Sequence, residues 1–369
     1  MKIGILITSI SNFGESGFYN SQEIGLAKAL CRCGSQVDVY KLVSSDKESK
    51  ENSHEGYPSV TVHILPSRNM GINGFPDMSK LNADQDALIH FSDTQISVPS
   101  VFKWCQKNDV RYVPYIGVLE SHSTSGIKQR IINLLFARNL AVYRKCHCFA
   151  KTPTIQKQLL SLGVENASVA PVGLDLSLLN NDFLSCSAIE LKEKYGYDES
   201  NRVLLFVGRL VSEKEPLKMI ELFSRIKAMD HRYKLLMVGS GKLESEIRER
   251  INTLELSEDI RIINRIPNDR IWELYVLADC FVNLNQNEIF GMAILEAMFY
   301  GCKVVAWKAP GPNLIIEDDV SGYLVNDDGE AIDRILNGKD VDDKAHRRVA
   351  EHFTWDATAS VLYSVLAGG

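Results

Sequence analysis

A chain of 369 residues, 45% hydrophobic and 24% charged, is too long for one ordinary domain and too apolar for a disordered or fibrous protein. Eight cysteines over that length are too sparse for a disulfide framework, and a net charge of −6 speaks against nucleic acid. No uncharged apolar stretch nears the ~20 residues that cross a bilayer, so a reduced, cytoplasmic protein of two domains is expected.

Short apolar runs alternate with amphipathic stretches, the pattern of β-α units and parallel sheets. KIGILIT at 2–8 reads as the first strand, and its apolar run suits a buried strand rather than a secretion signal. Phe18 to Cys33 reads as a helix with Ile24, Ala27, Leu30 and Cys31 on one face, followed by the strand QVDVYKLV. Residues 44–58 are polar and charged, which predicts an exposed connection. VTVHIL, ALIHF, RYVPYIGV, CHCFAK and ASVAPV supply further strands, with helices between them.

PVGLD at 171–175 reads as a crossing point, after which the rhythm restarts. RVLLFVG, a helix from Glu213 to Met229, YKLLMVG, a helix from Gly241 to Leu254, DIRII, DCFVNL and CKVVAW follow in order, and Trp355 to Leu366 reads as a last helix. The simplest account is an α/β protein of two doubly wound domains facing a central cleft. The boundaries read as 1–173, 174–352 and a C-terminal helix at 353–369 that packs back on the first domain. Ligands of such folds sit at the carboxyl ends of strands, so chemistry is expected in the cleft.

The stretch NQNEIFGMAILEAMFYGCKVVA at 285–306 carries the most information. A strand ends in a polar loop and a helix is expected from near Phe290, with Glu288 just before it and Glu296 two turns inside. The unpaired amides of a helix N-terminus lie between two carboxylates roughly 12 Å apart along the axis. A sugar nucleotide fits that pattern, with sugar and ribose hydroxyls at the carboxylates and diphosphate at the amides. Gly291 allows close backbone approach. Glu296 sits among Ile294, Leu295, Ala297 and Met298, where a carboxylate without a partner would be costly. A surface-loop Glu288 and a solvated Glu296 are the plain alternative.

In FVGRLVSEKEP at 206–216, Arg209 and Lys214 bracket a loop after a strand end, placed to neutralise a diphosphate or to pair locally with Glu213 or Glu215. VGSGKLE at 238–244 sets Gly239 and Gly241 at a strand-to-helix turn, weak evidence by itself. The first βα turn holds no G-x-G-x-x-G, against a dehydrogenase, and the paired cysteines near 31 and 146 are too few for a zinc set. His90 and Asp93 follow a strand end, where they border an acceptor or cap a loop.

Glu288-x7-Glu296 within NEIFGMAILEAMFYG, with VGRLVSEKEP and VGSGKLE upstream and VGLD and LIIEDDVSGYLV around them, resembles glycosyltransferase family 4 of the GT-B fold. The resemblance is strong in the second domain and weaker in the first. It implies a retaining transferase that moves a sugar from a nucleotide-sugar, UDP-sugar first, to an acceptor hydroxyl in polysaccharide or glycolipid synthesis, without a metal or other cofactor. By position, it implies that Arg209 and Lys214 bind the donor diphosphate, Glu288 the donor sugar and Glu296 the ribose. The amides of Phe290, Gly291 and Met292 would hold phosphate and sugar oxygens, and Ile266 in NRIP would line the nucleobase pocket. In the first domain, SNFGESGF at 11–18 resembles the family's glycine loop, which puts Gly14 and Gly17 near donor phosphate and acceptor. His122 in GVLESHSTSG matches a histidine near the donor sugar, with Glu120, Ser121 and Ser123 as weaker neighbours. Glu215, Phe299 and Lys303 depart from the family's usual glycine, small residue and proline. An epimerase of the same fold, or a sugar-nucleotide-binding protein without transfer activity, is the alternative.

The first half of the chain is net basic and the second net acidic. From Ser121 to Val164 there are seven basic residues and no acidic one, which predicts an anion nearby. GIKQRIINLLFARNLAVYRKC at 126–146 reads as a basic amphipathic helix in which Ile127, Ile131, Leu134, Leu135 and Arg138 share a face, part of it packed on the sheet. Because relatives often act on lipid-linked diphosphate acceptors, a peripheral contact with an anionic membrane at its cytoplasmic face is expected.

Overall fold

A computed structural model of the chain describes residues 1–10, 21–45, 49–71, 73–119, 126–179, 183 and 185–368, the side chains of 126–128, 268 and 342 aside. It divides into two compact units, one of Met1–Gly173 with Thr354–Gly369 and one of Leu174–Phe353.

The first unit runs β1 (Lys2–Ile7), α1 (Gln22–Arg32), β2 (Gln36–Ser44), β3 (Lys50–His54), β4 (Tyr57–Met70), β5 (Asn73–Phe75), β6 (Ala87–Phe91), α2 (Val98–Lys107), β7 (Arg111–Ile116), α3 (Gly126–Tyr143), β8 (Cys148–Ala150), α4 (Pro153–Ser161) and β9 (Ala167–Val169). Its sheet has the order β3-β4-β2-β1-β6-β7-β8-β9, with β5 also on β4. The central pairs are parallel, and β3 and β5 run antiparallel to β4. Strand order reverses between β1 and β6, the switch point at which open parallel sheets open a crevice. Leu6, Leu88, Val101 and Ile116 are among the side chains that fill one face. Residues 44–58 correct the sequence reading. Instead of a bare connection, Lys50 to His54 form an edge strand whose side chains are mostly exposed, so no apolar pattern marks it. The edge is blunted by Lys50 and Glu51, as exposed edges require.

The second unit runs α5 (Ala188–Lys194), β10 (Arg202–Val207), α6 (Pro216–Met229), β11 (Tyr233–Val238), α7 (Glu244–Thr253), β12 (Ile260–Ile263), α8 (Ile271–Leu277), β13 (Cys280–Asn283), α9 (Met292–Phe299), β14 (Val304–Trp307), α10 (Pro310–Ile315), β15 (Tyr323–Val325), α11 (Asp328–Asn337) and α12 (Asp342–His352). All strand pairs are parallel in the order β12-β11-β10-β13-β14-β15. The switch point falls between β10 and β13. Both are short and carry a buried apolar centre, Val203–Phe206 in β10 and Cys280–Val282 in β13, as strands covered on both faces must.

The chain returns to the first unit through α13 (Trp355–Ala367), which packs on α1. Trp355 is fully buried against Gly25, where an added Cβ would come within 2.2 Å of the indole. The Thr358 hydroxyl donates to the Pro171 carbonyl, and Arg111 Nη1 donates to the Val365 carbonyl at 3.1 Å.

Candidate active site

Arg209, Lys214 and Glu288 lie on loops that leave β10 and β13, the two strands of the second switch point. The topology therefore joins segments 74 residues apart: Lys214 Nζ donates to Glu288 Oε2 at 2.6 Å. The local pairing with Glu213 or Glu215 is not what forms. Asn285 Nδ2 and Asn283 Nδ2 donate to the same Oε2 at 3.2 and 3.3 Å. Glu288 is 9% exposed, and these three donors rather than water surround its Oε2. Its Oε1 has no hydrogen-bond partner among the described residues, which leaves one carboxylate oxygen for a ligand hydroxyl. Arg209 is exposed; it forms no salt bridge within 4 Å among the described residues, and its charge acts on Glu213.

The helix after Glu288 begins at Met292, two residues later than its sequence suggests, so Glu296 stands one turn inside α9 rather than two. The delay comes from Gly291, at φ 102°, a conformation that L side chains rarely adopt. No side chain caps this N-terminus, and its first amides remain available to an anion. The loop is held from behind: Gly311 N donates to the Glu288 carbonyl at 2.9 Å, and a Cβ on Gly311 would come within 2.0 Å of the Phe290 oxygen. Phe290 is buried and Met292 half-buried. The partner that a buried Glu296 requires is Tyr275, whose hydroxyl donates to Glu296 Oε2 at 2.8 Å. Burial pushes this carboxyl up to about 7, and the Tyr275 bond opposes the rise without cancelling it.

Gly239 and Gly241 lie against the loop that leaves β10. A Cβ on Gly239, at φ 144°, would lie 1.9 Å from the Gly208 oxygen, and one on Gly241 would lie 2.3 Å from the Leu210 oxygen. Leu210 N donates to Ser240 O, and Leu243 N donates to Leu210 O, both at 3.0 Å. The glycines admit this backbone-on-backbone contact, which holds the loop bearing Arg209. Ile266 is buried in the loop that leaves β12, at the carboxyl edge of the same sheet.

In the first unit, Gly14, Gly17 and His122, with Glu120, Ser121 and Ser123, lie outside the described residues. His90 is fully buried between Thr8 Oγ1 at 2.9 Å and Tyr112 Oη at 2.8 Å, and burial drops its pKa to about 3. It is a neutral core histidine, not an acceptor contact. Asp93 caps a loop: its Oδ1 accepts the amides of Gly117 and Val118 where the chain leaves β7. Lys151, 9% exposed at the end of β8, faces Asp93 Oδ2 at 3.4 Å. Sequence reasoning missed this lysine, although a cation directly at the end of an apolar strand was its signal. A cavity of about 340 Å³ lined by Lys2, Gln36, Asp38 and Asn82 opens at the amino ends of β1 and β2, the edge opposite the switch point.

Residues 187–352 match the family model described as Glycosyl transferases group 1. Over 371 aligned residues the chain is 24% identical to an uncharacterized glycosyltransferase of Methanocaldococcus jannaschii, with 92% of each chain covered. It is 30% identical over 208 residues to a D-inositol 3-phosphate glycosyltransferase of Geodermatophilus obscurus, covering 53% of this chain and 45% of that one. Among solved structures, Anabaena HepE in complex with UDP and glucose superposes with a TM-score of 0.71 at 17% identity over the full length of both chains. That likeness places the fold among GT-B structures of two Rossmann-like domains.

Proposed function

We propose that this chain, a glycosyltransferase whose second unit is of the group 1 kind, moves a hexose from a UDP-sugar to the hydroxyl of a sugar or lipid-linked acceptor, in polysaccharide or glycolipid synthesis. The observation that carries the reading is the Lys214–Glu288 pair beside the uncapped start of α9, with the protonatable Glu296 one turn further in. In this reading the donor diphosphate lies against the Phe290, Gly291 and Met292 amides, between Lys214 and the exposed Arg209. Glu288 Oε1 accepts from the sugar, Glu296 from the ribose, and Ile266 borders the base. UDP is the first choice because HepE, of the same fold, is a UDP complex.

The chemistry follows from charge. The bond from the anomeric carbon to the diphosphate oxygen breaks, and the negative charge that develops falls on oxygens facing Arg209, Lys214 and the helix amides. The acceptor oxygen bonds to the same face of that carbon while its proton passes to the departing phosphate oxygen. The anomeric configuration is then retained, no side-chain nucleophile is required, and no metal takes part.

Incubation with a UDP-sugar panel and saccharide or lipid-linked acceptors, with proton NMR of the product, should show release of UDP and an unchanged anomeric configuration. Arg209→Ala and Lys214→Ala should each lower turnover by at least ~10²-fold, the cost of losing one transition-state contact. An inverted product would refute retention, and wild-type turnover in either variant would refute the diphosphate assignment.

A further inference from the structure

Glu296 stands on α9, but the group that holds its carboxylate comes from α8. The Tyr275 hydroxyl donates to Glu296 Oε2 at 2.8 Å, while Oε1 has no hydrogen-bond partner among the described residues. Packing fixes the phenol. Tyr275 is fully buried, its ring stacked on Tyr300 with centroids 6.0 Å and planes 13° apart, and set edge-on to Phe281 at 6.0 Å. Tyr300 closes α9, and its amide donates to the Glu296 carbonyl at 3.1 Å. The carboxylate and the ring that braces its donor therefore belong to one turn of one helix.

The elements packed against α9 are α8, α10, α12, β13 and β14, and their other titratable groups are engaged elsewhere or exposed. Glu273 of α8 pairs with Lys194 and Arg270, and Cys280 of β13 donates to the Phe281 carbonyl. His346 and Arg348 of α12 bond the carbonyls of Phe299 and Ile315, and the remaining titratable side chains described on α12 are exposed. α10 and β14 carry none. Burial and Tyr275 are thus the two influences on this carboxyl, and they act in opposite senses.

We infer that Tyr275 is a positioning residue for nucleotide binding, its hydroxyl holding Glu296 Oε2 so that Oε1 accepts from the ribose. The inference rests on the assignment of Glu296 to the ribose. By donating, the phenol also favours the charged carboxylate, which is the form that receives two hydroxyls as a pure acceptor. A buried carboxylate with no donor would keep its proton and present a hydroxyl of its own. Tyr275→Phe keeps the ring and its stacking and removes only the donor.

Two measurements on the full chain and its Tyr275→Phe variant test this. The first is denaturant unfolding across pH, which needs no nucleotide. The folded chain holds a proton on Glu296 that the unfolded chain gives up, so stability declines as pH rises from about 4.5 to about 7 in the wild type. In the variant the decline should run about one pH unit further. The second is UDP affinity by calorimetry. It should be about fivefold weaker than wild type near pH 7 and within about twofold of it near pH 9, where both carboxyls are ionised. An unchanged unfolding profile would overturn the inference, as would an affinity loss as large near pH 9 as near pH 7, the mark of a merely structural role. A longer decline in stability with UDP affinity independent of pH in both proteins would overturn it through the ribose assignment alone.

Discussion

Glu296 illustrates how one buried side chain couples stability to ligand binding. Its carboxyl titrates at about 7 in the folded chain against an ordinary 4.5, because burial disfavours the charge. The folded state thus holds a proton that the unfolded state gives up, and stability declines as pH rises from about 4.5 to about 7, by on the order of 3 kcal/mol. Denaturant unfolding across that window should show the decline in the wild type and lose most of it in Glu296→Gln; an identical slope in both would contradict it. The same group gives binding the opposite dependence. If the ionised carboxylate receives the ribose hydroxyls, UDP affinity should be about tenfold weaker at pH 6 than at pH 8, with proton release at pH 7 seen by calorimetry in two buffers. Glu296→Ala should weaken UDP binding by ~1.5–3 kcal/mol at pH 8.

At the scale of elements, the site is a set of loops held by backbone contact. The Gly239 loop lies directly on the Gly208 loop, and α10 supports the Glu288 loop through Gly311. Gly239→Ala must move backbone as well as adopt a conformation foreign to alanine, and should cost on the order of 3 kcal/mol. Gly196→Ala, at φ 78° with nothing nearby, isolates the conformational part and should cost only about 1 kcal/mol. Equal losses in denaturant unfolding would remove the loop-contact argument. The three departures from the family pattern also find local reasons. Glu215 takes the left-handed conformation at φ 55° that a glycine would adopt freely. Lys303 Nζ donates to the carbonyls of Ile335 and Gly338 at the end of α11, and Phe299 packs on His346 of α12 with ring centroids 4.7 Å apart.

At the scale of the molecule, the chain leaves the first unit at Gly173 and re-enters it at Thr354, so the first unit is completed only by residues on the far side of the second. Trp355 fills the space that Gly25 leaves open on α1. Trp355→Ala should destabilise the first unit by ~3–5 kcal/mol, the usual cost of emptying a buried aromatic site. Amide exchange should quicken in α1, β1 and β2 while the second unit keeps its protection; uniform loss across both units would show that they unfold together.

The apolar runs alone determined the strands at the centre of both sheets, because a strand covered on both faces has no alternative to continuous hydrophobicity. They also determined the crossing near residue 173 and the helix that opens with Trp355. Glu288, Glu296, Arg209 and Lys214 were legible as strand-end or helix-start residues, since a parallel sheet brings its carboxyl ends together. What tertiary structure decided is which of them meet. Lys214 had nearer carboxylates in Glu213 and Glu215, and only the adjacency of β10 and β13 gives it Glu288. The edge strand at 50–54 was invisible because a polar strand pairs by backbone alone, and the exposure of Ile131 and Leu134 because helical spacing records a face without saying whether anything covers it.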